Sequence, residues 1–220
     1  MSVLTATEWA AIDDAPGGEL TRLGTTAPLS EQRGLFDDEG PSCGGRGAVE
    51  AETGSASGAA AQVSVVDARG PERPGGSRFG ELVHAVLAAV PLEADRAAID
   101  ALIEVHGRIL SAPADELIAA AQTVQRVLAH DLLARARGAS RRGVCRRETP
   151  VTCLHGDGVM VEGIVDLAFE EHGAWTVVDY KTDRELAAVG EDRYRRQVAL
   201  YASAIAQATG QQARGVLVRV

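Results

Sequence analysis

A chain of 220 residues, 45% of them hydrophobic, is long enough to enclose one core and leave a tail. Its net charge of −9 speaks against a uniformly basic nucleic-acid surface, and no apolar run approaches the length needed to span a bilayer. The three cysteines, Cys43, Cys145 and Cys153, lack C-x-x-C spacing, which argues against a disulfide framework and against a zinc or iron–sulfur centre.

Reduced thiols, and no basic stretch followed by an apolar core at the start of the sequence, lead to the expectation of a cytoplasmic protein that does not engage a membrane. The acidic balance is uneven. Residues 1–70 carry 11 acidic and 4 basic residues, whereas residues 71–220 carry 20 and 18. The second part also holds a basic run, Arg135, Arg137, Arg141, Arg142, Arg146 and Arg147, so local phosphate binding stays open there.

Residues 1–76 read as a low-complexity acidic tail or linker, since "GPSCGGRGAVEAETGSASGAAAQ" and "RGPERPGG" are small, polar and rich in glycine. "LTATEWAAI" is helix-like but has few partners for a core. The ordered domain is expected over residues 77–220. In "SRFGELVHAVLAAV", Phe79, Leu82, Val83, Val86, Leu87 and Val90 repeat at helical spacing, with Ser77 as the expected N-cap. Two more helices are expected, at about 94–110 and 114–137. Strands are expected in "GVCRRETPVTCL", "VMVEGIVDLAFE" and "AWTVVDYK", where β-branched residues partly alternate. "EDRYRRQVALYASAIAQATG" returns to helix and stops at Gly210, and "ARGVLVRV" is a last strand. This order gives an α/β or α+β domain around one central sheet.

The second and third strands predict a hairpin with His172-Gly173 as its two-residue turn. Partners in that register have numbers summing to 345, which sets Asp166 opposite Asp179 with Lys181 on the same side. Val165, Leu167, Phe169, Val178 and Tyr180 would then form the apolar face. Two facing carboxylates repel, and a divalent cation, Mg²⁺ or Mn²⁺, is the simplest compensation. A salt bridge from Lys181 is the other. Lys181 is the only lysine in a chain whose other 21 basic residues are arginine. A compact ammonium with a tunable pKa, retained where arginine is otherwise preferred, points to a chemical role.

His84 lies off the apolar stripe of its helix, with Gly80 one turn earlier leaving space beside the ring. From this helix alone, a surface histidine and a functional one both remain open. His106, His130, His155 and His172 have weaker contexts and read as structural or solvent-facing. Tyr194, Gln197, Val198, Tyr201 and Ile205 share a stripe on the last helix. Gln197 there must find hydrogen bonds or stand at a cleft edge.

"FGELVH", "RRETP", "GIVDLAF", "VVDYKTD" and "YRRQVALYA", in this order with short gaps, resemble the RecB-like branch of the PD-(D/E)XK nucleases. The likeness is to the nuclease domain at the C-terminus of AddA-type and UvrD-like helicase–nucleases, and it covers about residues 77–220. It implies a restriction-endonuclease-like core, a mixed sheet flanked by helices. It also implies Mg²⁺-dependent phosphodiester hydrolysis of DNA in break repair or recombination, of exonuclease type and beside a UvrD-, AddA- or AddB-like helicase partner. By the same resemblance His84, Asp166, Asp179 and the Tyr180 carbonyl bind the metal, and Lys181 is the lysine of D-x-K. Glu148 borders the active site, while Gln197 and Tyr201 hold the DNA strand with Tyr194 beside them. Arg147, the rest of the basic run, and Arg193, Arg195 and Arg196 are candidates for the DNA backbone.

Two family features are missing. No G-x-x-x-x-G-K-[ST] stretch occurs, so no ATP site is expected, and the cysteine quartet of the iron–sulfur relatives is absent. A catalytically silent module that docks on DNA or on a helicase is the alternative reading.

Overall fold

The computed structural model describes residues 3–6, 8, 10, 61–70, 74–154, 159–182, 186 and 190–220. Strands β1 (Val3–Thr5), β2 (Val63–Asp67), β3 (Cys145–Leu154), β4 (Met160–Glu171), β5 (Ala174–Lys181) and β6 (Gln212–Arg219) form one mixed sheet. Its order is β1-β4-β5-β6-β2, with β3 paired along β4. Helices α1 (Ser77–Ala89), α2 (Arg96–Leu110), α3 (Ala114–Ala129) and α4 (Asp131–Arg141) precede β3, and α5 (Glu191–Thr209) joins β5 to its parallel neighbour β6.

Both faces of the sheet are covered, as the continuous apolar runs of β5 and β6 require. Val178, Tyr180, Val216 and Val218 pack with α1–α4 in the larger core cluster. Their alternates Val177 and Leu217 pack with α5 residues, in two smaller clusters. Helix α1 contributes Phe79, Leu82, Val83, Val86 and Leu87, the stripe expected from its spacing. Its N-cap position is held by Gly76 and not by Ser77.

Where one helix was expected over 114–137, α3 and α4 are separate. His130 is extended (φ −69°, ψ 145°) and its Nδ1 accepts the Leu132 N–H at 3.1 Å, so it ends one helix and caps the next. Gly210 closes α5 in the left-handed conformation, as expected.

The expected domain start at residue 77 needs correction, because two strands of the sheet precede it. β2 lies parallel to β6 over five pairs, from Val63↔Gly215 to Asp67↔Arg219. β1 lies parallel to β4 at Met160–Glu162. Thr5 and Glu8 then form a reciprocal capping pair: Thr5 N–H donates to Glu8 Oε2 (2.9 Å) and Glu8 N–H to Thr5 Oγ1 (3.2 Å). Residues 11–60, the bulk of the expected tail, lie outside the described residues.

Candidate active site

The β4–β5 hairpin has the expected register. His172 and Gly173 both have positive φ (53° and 78°), as a type I′ turn demands, and the pairs run from Glu171↔Ala174 to Leu167↔Val178. Regular pairing stops there. One residue further on, an Asp166 carboxylate oxygen takes the Tyr180 amide N–H at 2.7 Å.

On the other side of β4, pairing to β3 is continuous except at Glu148, which faces Asp166 in the register and has φ 46°. Both strands change face at this interruption. Val165 packs with Val161, Tyr201 and Ile205 on the α5 side, while Leu167 belongs to the larger core. Val165 therefore does not share the apolar face expected for it. The backbone is irregular where the carboxylates gather, and this is how Asp166 leaves the ladder to meet β5.

Asp179 is 2% exposed and Lys181 9%. The Lys181 ammonium lies 2.7 Å from Asp179 Oδ2, donates to the Tyr180 carbonyl at 3.2 Å, and stands 5.0 Å above the centre of the Tyr194 ring. The last is a cation–π contact. From α5, Gln197 Nε2 donates to Tyr201 Oη at 2.8 Å, with both side chains buried. From α1, His84 meets Tyr180 edge to face with ring centroids 6.5 Å apart, and its charge bears on both aspartates. Thr182, not the imidazole, fills the space left by Gly80: a Cβ there would lie 3.3 Å from the Thr182 methyl. Elements distant in sequence thus converge at the carboxyl end of β5.

The sequence matches the PD-(D/E)XK nuclease superfamily over residues 59–220. The chain belongs to that superfamily. It is 29% identical over 150 residues to an ATP-dependent helicase/nuclease subunit from Lysinibacillus sphaericus, covering 59% of this chain and 12% of that protein. The protein of the same name from Heliobacterium modesticaldum is 44% identical over 46 residues, 21% of this chain and 3% of that one. The chain therefore spans about an eighth or less of the length of these relatives.

Several described arginines of this PD-(D/E)XK domain bond to its own carbonyls and carboxylates. Arg147, expected as a DNA-backbone contact, donates from its guanidinium to the carbonyls of Val90 (2.6 Å) and Leu87 at the end of α1. Arg137 donates to the Leu92 and Leu128 carbonyls, and Arg142 to that of Glu170. Arg135 and Arg214 share Glu171. On α5, Arg195 pairs with Glu191 and Arg196 reaches the Ala10 carbonyl at 3.2 Å. Helix ends leave carbonyls that such donors satisfy.

Cys145 and Cys153 are free thiols, eight residues apart on one strand. No helix among the described residues is long and apolar enough to cross a membrane.

The donor set suits a hard divalent cation: two carboxylates, an imidazole and a backbone carbonyl. As they stand, no three His, Cys, Asp or Glu side chains among the described residues are grouped closely enough to hold one. Asp179 is held by Lys181 and Asp166 by the Tyr180 amide. Burial favours the uncharged form of both aspartates, a cost that a bound cation would offset. Burial pushes the Asp179 carboxyl up to about 6, with Asp166 adding to the rise and Lys181 opposing it. Burial raises Asp166 too, again against Lys181.

Asp179 is more basic in the folded chain than in the unfolded one, so its protonated form contributes stability below about pH 4, and this is lost as pH rises through about 6. Metal-free protein in EDTA should melt at falling temperature across that window, and Asp179→Asn should flatten the difference. Identical pH slopes for the two proteins in calorimetry would contradict it.

Proposed function

We propose that this chain is a divalent-metal-dependent deoxyribonuclease module that hydrolyses phosphodiester bonds beside a helicase, in double-strand break repair or recombination. The observation that carries this reading is the buried Asp179–Lys181 pair beside Asp166 at the interrupted strand. A structural salt bridge alone would not require a second carboxylate, a histidine and a glutamine–tyrosine pair at the same strand end.

Asp166, Asp179, His84 and the Tyr180 carbonyl are the residues that would hold Mg²⁺ or Mn²⁺. Bound there, the cation supplies Lewis-acid polarisation of the phosphate and a more acidic water. Lys181, held beside Asp179 and over the Tyr194 ring, would offset negative charge growing on the phosphate. Glu148, exposed at the break in β3, borders the same centre and helps to raise the Asp166 pKa. Gln197 and Tyr201, bonded to each other on α5, would position the DNA strand.

The test is cleavage of end-labelled single- and double-stranded DNA with Mg²⁺, Mn²⁺ or EDTA. Metal-dependent products support the module, and DNA binding without cleavage under every metal condition favours the silent docking module. That second reading is supported by the absence of a ready-made three-ligand cluster among the described residues.

Association with a helicase rests on the name these relatives carry, which joins helicase and nuclease. The motor would have to come from elsewhere, because the sole lysine here lies in D-Y-K-T and not in a phosphate-cradling loop. ATP should therefore leave the melting temperature of this chain unchanged, and a clear nucleotide-dependent rise would refute that expectation.

A further inference from the structure

Two strand glycines are shaped around α5. A Cβ on Gly163 in β4 would stand 2.7 and 2.9 Å from the Cε1 and Cζ atoms of Tyr201 and closer still to its hydroxyl. A Cβ on Gly215 in β6 would stand 2.5 Å from Val198 Cγ1 and 3.0 Å from Val63 Cγ2. Neither glycine has a positive φ, so their backbones would accept alanine. Space is what they supply.

Gly163 and Gly215 lie on the strands either side of β5, which carries Asp179 and Lys181. The residues they admit, Val198 and Tyr201, are three apart on α5 and so share a face. That face also carries Tyr194 under Lys181 and Gln197 bonded to Tyr201. We infer that Gly163 and Gly215 are positioning residues: they form a two-point seat that sets the height of α5 above β5, and with it the reach of Tyr194 and the Gln197–Tyr201 pair to the reacting centre. The inference rests on the nuclease reading for its catalytic consequence only. The seat itself is independent of it.

A methyl group at position 215 strikes the short Val198 side chain and lifts the helix, and one at position 163 displaces the Tyr201 ring. Misplacement by about 1 Å can cost on the order of 10²-fold in rate, and Gly215→Ala should lose about that much in kcat/KM. The decisive variant is the compensating one. Val198→Ala removes the methyl group nearest to a Cβ at position 215 and leaves only the 3.0 Å approach of Val63 Cγ2. Gly215→Ala/Val198→Ala should therefore return to within about threefold of Val198→Ala alone, a coupling that independent sites do not show.

At the other point the cycle is read without metal, in EDTA, as DNA affinity and melting temperature. Gly163→Ala should weaken both in the wild-type background and neither in Tyr201→Leu, where the obstructing ring atoms are gone. Should Gly163→Ala fail to fold, Gly163→Ala/Tyr201→Leu must still fold and melt like Tyr201→Leu. Additive losses in both cycles, or wild-type behaviour of both glycine variants, would overturn the seat. Absence of cleavage by the wild type, with the Gly163/Tyr201 melting cycle intact, would instead sink the nuclease reading and leave the seat standing.

Discussion

Lys181→Ala is expected to reduce metal-dependent DNA cleavage by about 10²–10³-fold, the scale for removing one preorganised charge aimed at a developing anion. Lys181→Arg should fail almost as badly. Its site is 9% exposed, between Asp179 and the Tyr194 ring, and a planar guanidinium needs more room and a different angle of approach.

The variant will also change stability, because removing the ammonium leaves Asp179 buried without its cation. Breaking a buried pair typically costs about 3–5 kcal/mol when the remaining charge must stay. Asp179 escapes part of this by taking up a proton, so Lys181→Ala should be markedly less stable than wild type at pH 8 and much closer to it at pH 5. A fair comparison of rates therefore uses Asp179→Asn and Lys181→Met side by side with melting curves at each pH. Wild-type cleavage by Lys181→Ala, with its fold verified, would remove the lysine from the mechanism. An equal loss of stability at pH 5 and pH 8 would show that Asp179 is not what the ammonium neutralises.

The part of the site that was legible in sequence is the part fixed by local chemistry. His172-Gly173 selects a two-residue turn, the turn selects the register, and the register brings Asp166 towards Asp179. The lone lysine and the spacing of Gln197 and Tyr201 are equally local.

What escaped depends on long-range fit. Glu148 takes φ 46° although nothing in "RRETP" demands a left-handed residue, and that single torsion goes with the change of face that removes Val165 from its expected partners. Gly163 and Gly215 look like weak points of their strands until the helix that needs their missing side chains is in place. Arg147 reads as a phosphate ligand because a sequence shows charge but not the helix end the charge will brace. His130 reads as a bystander, since a histidine that accepts an amide N–H as a helix cap has no pattern of its own.

The amino-terminal boundary was misplaced for a related reason, and it sets the second large effect: a chain beginning at residue 77 should be severely destabilised, whereas one beginning at residue 59 should fold. Composition made residues 61–70 resemble their glycine-rich neighbours, but "VSVVD" is a strand. Val63 and Val65 pack against Tyr194, Val198 and Leu217, and Val66 and Ala68 join the larger core. The strand also satisfies the β6 edge, extended at one end by Gly215 N–H donating to Gln62 O and at the other by Ala68 N–H donating to Arg219 O, both at 2.9 Å.

Full burial of a valine side chain is worth about 1.5–3 kcal/mol. These partly buried residues together therefore contribute on the order of 3–5 kcal/mol, out of a total typically about 5–15. Their removal also bares the edge of β6 as a template for aggregation. Among the described residues, a start at residue 59 gives up the three β1 pairs, the packing of Ala6 and Ala10 and the Arg196 bond to the Ala10 carbonyl, a smaller loss at an outer strand. Urea denaturation of the full chain and the two truncations measures the difference directly. If the chain from residue 77 keeps the midpoint and slope of the full protein, β2 is an ornament of the sheet and the boundary belongs where the glycine-rich composition first suggested.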